Sequence, residues 1–247
     1  MAEHVLRNTK IYIDGVDLSG KMNSVTLTMN ADLKDKTTFG SSYRKRLSGL
    51  INAEINGEGF YDASSAYKGE KLLFEDLGST DQICTLIAEG SGLGNSAYSA
   101  HKLESAFSPG FQIGEIATWT FACYSDGAAI KQKVIASSGF STSMTVTVRN
   151  LGYRTPQQAM YATLHNVRGT TIAGQKLIIK VHTGTSSGFS STTFSTSLKF
   201  TSLTTAVHTA QWKTTSCSTL HTWFRVSVAS SGSTDGESNG VLTVGLQ

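Results

Sequence analysis

Ala117-Thr-Trp-Thr-Phe-Ala-Cys123 sets the character of this chain. Ala117, Trp119, Phe121 and Cys123 fall on one side of an extended backbone, with Thr118 and Thr120 on the other. This is the period-2 pattern of a strand with one dry face. The same alternation recurs on either side. Val25, Leu27 and Met29 oppose Ser24, Thr26 and Thr28, and Ala53 and Ile55 oppose Glu54 and Asn56, a run that continues through Gly57 and Gly59 to Tyr61. Ile11 and Ile13 flank Tyr12 ahead of a turn at Gly15. Toward the C-terminus come Val146 and Val148, the apolar run between Lys176 and His182, Leu198 with Phe200, Phe224 with Val226 and Val228, and Leu242 with Val244 and Leu246. Many short strands separated by Gly/Ser turns predict a sandwich or barrel.

One helix is expected over residues 64–77. Asp62, Ser64 or Ser65 can cap its start, Leu72, Leu73 and Leu77 supply its apolar stripe, and Gly78 can end it. A shorter helical turn is expected over Tyr43 to Leu47. Residues 31–42, 89–100, 132–143 and 230–239 lack a dry face and read as loops. The stretch from Ser125 to Ser143 mixes Gly, Ser and charge and places a domain boundary, giving domains 1–135 and 136–247. The expected fold class is therefore all-β, with two sandwich-like units, the first flanked by one α-helix. Ser-Ser-Gly-Phe-Ser at 137 and again at 186 is too short a repeat to establish a duplication.

Composition agrees with this reading. Charged residues make up 16% of the chain, against about 25% in a typical globular protein, and hydroxyl residues and 24 glycines fill the difference. A net charge of +3 and a pI near 8.7 decide nothing about nucleic acid. The three cysteines, Cys84, Cys123 and Cys217, form no Cys-x-x-Cys pair, and reduced thiols are expected. The first residues, Met1 to Asn8, hold no apolar core of signal-peptide length, and no apolar run reaches the roughly 18 residues of a membrane span. Synthesis in the cytoplasm and no membrane partner are expected.

Catalytic constellations are lacking in the sequence. No Gly-x-Ser-x-Gly elbow joins a strand to a helix, and Gly90-Ser-Gly-Leu-Gly94 lacks the lysine of a phosphate-binding loop. The six histidines (His4, His101, His165, His182, His208 and His221) show no metal-ligand spacing. Glu54 and Glu58 share the solvated side of a strand, and Arg44-Lys-Arg46 reads as an exposed turn or subunit contact. No enzyme activity, metal or cofactor is expected. Trp119, Trp212 and Trp223 leave a carbohydrate-binding sandwich as an alternative, because such modules are also rich in Ser and Thr.

The first 62 residues carry a resemblance. Tyr12-Ile-Asp-Gly-Val-Asp-Leu-Ser-Gly20 is followed by Ser24-Val-Thr-Leu-Thr-Met29, Asp35-Lys-Thr-Thr-Phe-Gly40, Arg44, Arg46-Leu-Ser-Gly-Leu50 and Gly57-Glu-Gly-Phe-Tyr-Asp62. This order resembles the major tail tube proteins of long-tailed, siphovirus-like phages. Ser187-Gly-Phe-Ser-Ser191, Thr209-Ala-Gln-Trp212 and Thr222-Trp-Phe-Arg-Val226 extend the likeness into the second half. Lys34, Lys36 and Lys45 depart from the pattern by making the loop region more basic.

The resemblance implies a homo-oligomeric virion protein. In that family a β-sandwich with a flanking helix assembles into rings, hexameric or pseudo-sixfold trimeric. The rings stack into a tube through which DNA passes without sequence recognition, and the tube joins other tail proteins. A long loop that packs on the next ring would correspond here to residues 32–47, with Thr37, Thr38, Phe39, Gly40, Arg44 and Arg46 at the contact. A loop of that length inside a compact domain is itself a sign of function. The second half is expected to serve as a decoration or as a second ring-forming unit. A receptor-binding or carbohydrate-binding module and another virion part, such as a decoration or tail-terminator protein, are the alternatives.

Overall fold

The computed structural model describes residues 8–62, 69–127, 129–141, 148–150, 159–168, 177–184, 194–201, 203, 209–216, 223–230 and 238–247. Among the described residues the chain is all-β apart from one short helix. Its elements are β1 (Lys10–Ile13), β2 (Val16–Asp17), β3 (Met22–Asp35), β4 (Arg46–Phe60), α1 (Gly69–Glu75), β5 (Gln82–Ile87), β6 (Ser96–Gly110), β7 (Thr118–Ser125), β8 (Ile130–Phe140), β9 (Val148–Asn150), β10 (Ala159–Arg168), β11 (Leu177–Gly184), β12 (Phe194–Lys199), β13 (Thr209–Ser216), β14 (Trp223–Ser230) and β15 (Ser238–Leu246). Two compact units are formed. The larger comprises Met1–Ser19, Ile83–Ser99 and Ile130–Gln247, and the smaller comprises Gly20–Gln82 and Ala100–Ala129.

The larger unit is a sandwich of two antiparallel sheets. One runs in the order β13-β10-β15-β8 and continues through the first residues of β6, Ser96 to Ser99, to β5, β1 and β2; the other runs β12-β11-β14-β9. Ile135, Phe140, Met160, Leu164, Leu242 and Val244 of the first sheet pack against Ile179, Val181, Phe224 and Val226 of the second. The first sheet also buries its opposite side, where Tyr12, Ile87, Ala97, Val134 and Val241 cluster. Asp14 and Gly15 both hold positive φ, 44° and 84°. That satisfies the two-residue turn pairing Ile13 with Val16.

The smaller unit is one antiparallel ladder, β3-β4-β7-β6, with α1 beside it. Ala53, Ile55, Trp119, Phe121 and Cys123 form the dry side. Gly57 and Gly59 lie directly across from Phe121 and Trp119, and a Cβ at Gly59 would sit 2.3 Å from the Trp119 ring. Here strand glycines make room for aromatic rings on the neighbouring strand.

Several expectations are corrected. A boundary at 135/136 falls inside β8, because the stretch read as a linker is a central strand buried on both sides at Val134, Ile135 and Ala136. Burial on both faces removes alternation over Val134 to Ala136, which left that stretch without a strand signature. Residues 31–35 belong to β3, and β6 begins at Ser96 within the supposed loop of 89–100. The loop expected over 32–47 is the shorter segment 36–45, held between two strands. No helical turn forms over Tyr43 to Leu47, and Arg46 opens β4 instead. The helix exists over Gly69–Glu75 and is followed by Gly78 with φ 81°. Ser64, Ser65, residues 230–239 in part, and the likeness at 187–191 lie outside the described residues.

Candidate self-assembly surface

β3 and β4 pair from Met22↔Gly59 out to Asp35↔Arg46. β7 covers β4 only from Glu54 to Phe60. The remaining eight residues of β4, Arg46 to Ala53, continue with β3 as a two-stranded ribbon about 25 Å beyond the third strand. We call this ribbon and its loop the arm.

The arm exposes apolar side chains along its length: Met29, Leu33, Tyr43, Leu47, Ile51, and above all Leu50 at 87% and Phe39 at its tip. An isolated two-stranded ribbon is at best marginally stable in water, and apolar surface of this extent marks an interaction site.

Local hydrogen bonds hold the tip in shape. The Thr37 amide donates to Asp35 Oδ1 at 2.7 Å, the Lys45 amide donates to Thr37 Oγ1 at 3.0 Å, and the Lys36 amide donates to the Lys45 carbonyl at 2.8 Å. The Thr37 bonds also hold the Asp35 carboxyl below its ordinary range. Thr38 and Ser41 close a turn, through the Ser41 amide to the Thr38 carbonyl and a hydroxyl contact of 3.1 Å, which presents Phe39 and Gly40 at its corner. The six residues singled out in sequence therefore gather at one end of one hairpin. Thr37 and Thr38 shape it, Phe39, Arg44 and Arg46 project from it, and a Cβ at Gly40 would meet nothing within 4 Å. Lys34, Lys36 and Lys45 join the two arginines, with Lys34 paired to Asp32 at 2.8 Å.

Sequence reading missed a second exposed tip. Residues 111–117 join β6 to β7, and Phe111, Ile113 and Ile116 project from them, Ile113 at 107% exposure. The Glu115 amide donates to the Gln112 carbonyl at 3.2 Å, and Gly114 has φ 85°. A positive φ at the third position is what a type II turn requires, and it leaves Ile113 at the outer corner. The isoleucines had no alternating partners to flag them.

The side of the ladder opposite the dry core is wet. Ser24, Thr26 and Thr28 face Glu58, Asn56 and Glu54 across the β3–β4 pair, with Ser108 and Thr120 beyond. Asn56 Nδ2 donates to Glu54 Oε1 at 2.8 Å. These paired positions bear two carboxylates and hydroxyls but no lysine or arginine. Trp119 is buried and donates to the Phe60 carbonyl at 3.1 Å, and Trp212 meets Tyr161 edge-on at 5.8 Å. Among the described residues no three His, Cys, Asp or Glu side chains are placed to hold a metal ion. No helix among them is long and apolar enough to cross a membrane.

No protein-family model matches the chain, and no curated protein matches it in sequence. Among solved structures it is similar to a chain of the virion of a native gene transfer agent particle, at 17% identity and a TM-score of 0.42 over 51% of this chain and 97% of that one. It is similar to a chain of an extracellular contractile injection system sheath–tube complex in its extended state, at 15% identity and a TM-score of 0.41 over 53% and 93%. It is also similar to the SPP1 Dit protein, of the hub adsorption apparatus of phages infecting Gram-positive hosts, at 10% identity and a TM-score of 0.38 over 98% and 100%. Likeness at these scores is partial in fold and carries nothing about function.

Proposed function

We propose that this chain is a structural virion protein of a phage-like tail, a tube subunit that assembles into rings and stacks them through its arm. The observation that carries the reading is the ribbon that leaves Leu50, Ile51, Leu47 and Phe39 in water. Surface of this kind is stabilised when another molecule covers it. The ordered motifs between Tyr12 and Asp62 support the same reading.

Assembly is homo-oligomeric, in hexameric or pseudo-sixfold trimeric rings, together with other tail proteins. In the ring the wet side bearing Glu54 and Glu58 lines a channel. Carboxylates and hydroxyls without basic residues let DNA slide, because a conduit that bound phosphates would hold its cargo. The larger unit serves as decoration or as a second ring-forming element. The subunit works in the virion tail after synthesis in the host cytoplasm, and its role is assembly, not catalysis.

Electron microscopy of the purified chain over a range of concentration and salt tests this. Hollow tubes or stacked rings are expected. Replacing residues 36–45 with a two-residue Asn-Gly turn should leave a folded subunit that forms none. Normal tubes from that variant would overturn the role of the arm.

A further inference from the structure

The two exposed tips lie at opposite ends of one sheet. β4 leaves the arm loop at Arg46 and ends at Phe60, and β7 begins across from Phe60 at Thr118. The 111–117 loop therefore sits beside Phe60 and Tyr61, as the edge-on contact of Tyr61 with Phe111 at 5.5 Å and the bond from the Tyr61 amide to the Ala117 carbonyl at 2.9 Å both require. The run from Arg46 to Phe60 separates the two ends by roughly 45–50 Å.

The ends differ in chemistry. The arm end couples Phe39, Tyr43 and Leu47 to Lys36, Arg44, Lys45 and Arg46. The other end couples Phe111, Ile113 and Ile116 to Glu115. Lys21 there is paired with Asp62, and no lysine or arginine occurs from Leu103 to Ile130. Within 32–47 basic residues outnumber acidic ones five to two, whereas 111–117 holds Glu115 and no basic residue.

Resting on the tube reading above, we infer that the occupant of the arm is the 111–117 tip of a second copy of this chain. Two different patches on opposite ends make a heterologous contact, which leaves each end of a pair free to bind again and so extends without limit. Apolar anchors supply the affinity, while the basic and acidic surroundings set direction and disfavour arm-to-arm pairing.

Two measurements on the full-length chain test this. Ile113→Asp combined with Ile116→Asp changes only exposed side chains, so the subunit should stay folded, with Trp119 emission unchanged, while the concentration at which tubes appear rises at least tenfold. Phe39→Cys and Ile113→Cys subunits, mixed and oxidised, should give a cross-linked pair that neither gives alone. Normal tubes from the double aspartate variant, or cross-links in Phe39→Cys subunits alone, would overturn the assignment while leaving a wild-type tube intact. A wild-type chain that forms no polymer under any condition would remove the reading beneath it, and the inference with it.

Discussion

The Lys102 ammonium lies 3.1 Å from Glu104 Oε2, and both side chains are shut away from water on the dry side of β6. Two residues apart on one strand, they share a face. That face also receives Asp76 and Gln82, beyond the end of α1, and the Cys123 thiol of β7. The Gly78 amide donates to the Glu104 carbonyl at 3.0 Å, which ties the end of the helix to the same strand. Burial outweighs the pull of Lys102 and raises Glu104 from 4.5 to about 7, raises Asp76 as well, and pushes Cys123 up to about 12.

A carboxyl raised in this way binds its proton more tightly in the folded state. The smaller unit is therefore most stable below about pH 4.5 with respect to Glu104, and loses that stability as pH rises through about 7. Denaturant midpoints followed by Trp119 fluorescence, with Trp212 and Trp223 replaced by Phe, should be higher at pH 5 than at pH 8. Glu104→Gln should flatten the difference; an unchanged slope in that variant would assign it to another group.

Lys102→Met removes the only cation of the ion pair. At pH 8 this leaves a buried carboxylate alone and should cost about 3–5 kcal/mol. At pH 5 Glu104 takes up a proton and the cost should be far smaller. Equal costs at the two values would mean that Glu104 reaches water when its partner is lost.

The larger unit should respond to pH with the opposite sign. His165 is buried, its Nδ1 accepts from the Gly15 amide at 3.2 Å, and its Nε2 lies 2.8 Å from Thr85 Oγ1. An amide donor forces Nδ1 to accept, so Nε2 carries the proton and donates to Thr85 Oγ1, which leaves the Thr85 hydroxyl to donate to Ser99 Oγ at 2.7 Å. Ser99 donates to Gln132 Oε1 at 2.8 Å, and Gln132 Nε2 donates to Thr163 Oγ1 at 3.1 Å. Burial lowers His165 from 6.5 to about 3, so stability is complete above about 6.5 and is lost as pH falls toward 3. Gln132→Leu strands several hydroxyls at once and should cost about 3 kcal/mol, measured as a shift in the thermal midpoint.

Gly59→Ala places a methyl group where the Trp119 ring already stands. Overpacking of this kind costs about 1–3 kcal/mol, and Trp119 emission should shift as its packing adjusts. Gly40→Ala, which meets open space, should leave stability unchanged and serves as the control.

Arg44→Ala with Arg46→Ala tests the charge on the arm. Tube formation should then need a several-fold higher protein concentration at low salt and become less sensitive to added salt, because exposed charges act through a screened field. Salt sensitivity equal to that of the wild type would place the electrostatics elsewhere.

Strands with one wet face were legible from their residues. The β3 segment from Ser24 to Met29, β4 from Ala53 onward and β7 all follow their alternation. The misses have two opposite causes. The distal part of β3, Ala31 to Asp35, has no buried face within the subunit, so nothing forced its residues to alternate. β8 is buried on both faces, and β6 places Lys102 and Glu104 where apolar residues were expected, so each breaks the pattern from the inside. Phe39 stood out in sequence because no strand claimed it, whereas Ile113 and Ile116 passed as ordinary turn neighbours.

β15 lies between β10 and β8, pairing Leu242 with Leu164 on one side and with Ala136 on the other. It is interior to its sheet yet follows every other described strand in sequence. During vectorial synthesis the ladder of the smaller unit is complete by Ser125, while the larger unit must hold an open slot more than a hundred residues longer. A nascent chain therefore carries a finished arm before it has a closed sandwich, and an unfilled slot flanked by two strand edges is an invitation to mispair. The insertion of one late strand makes maturation of this subunit a gap-filling event, with its timing set by translation.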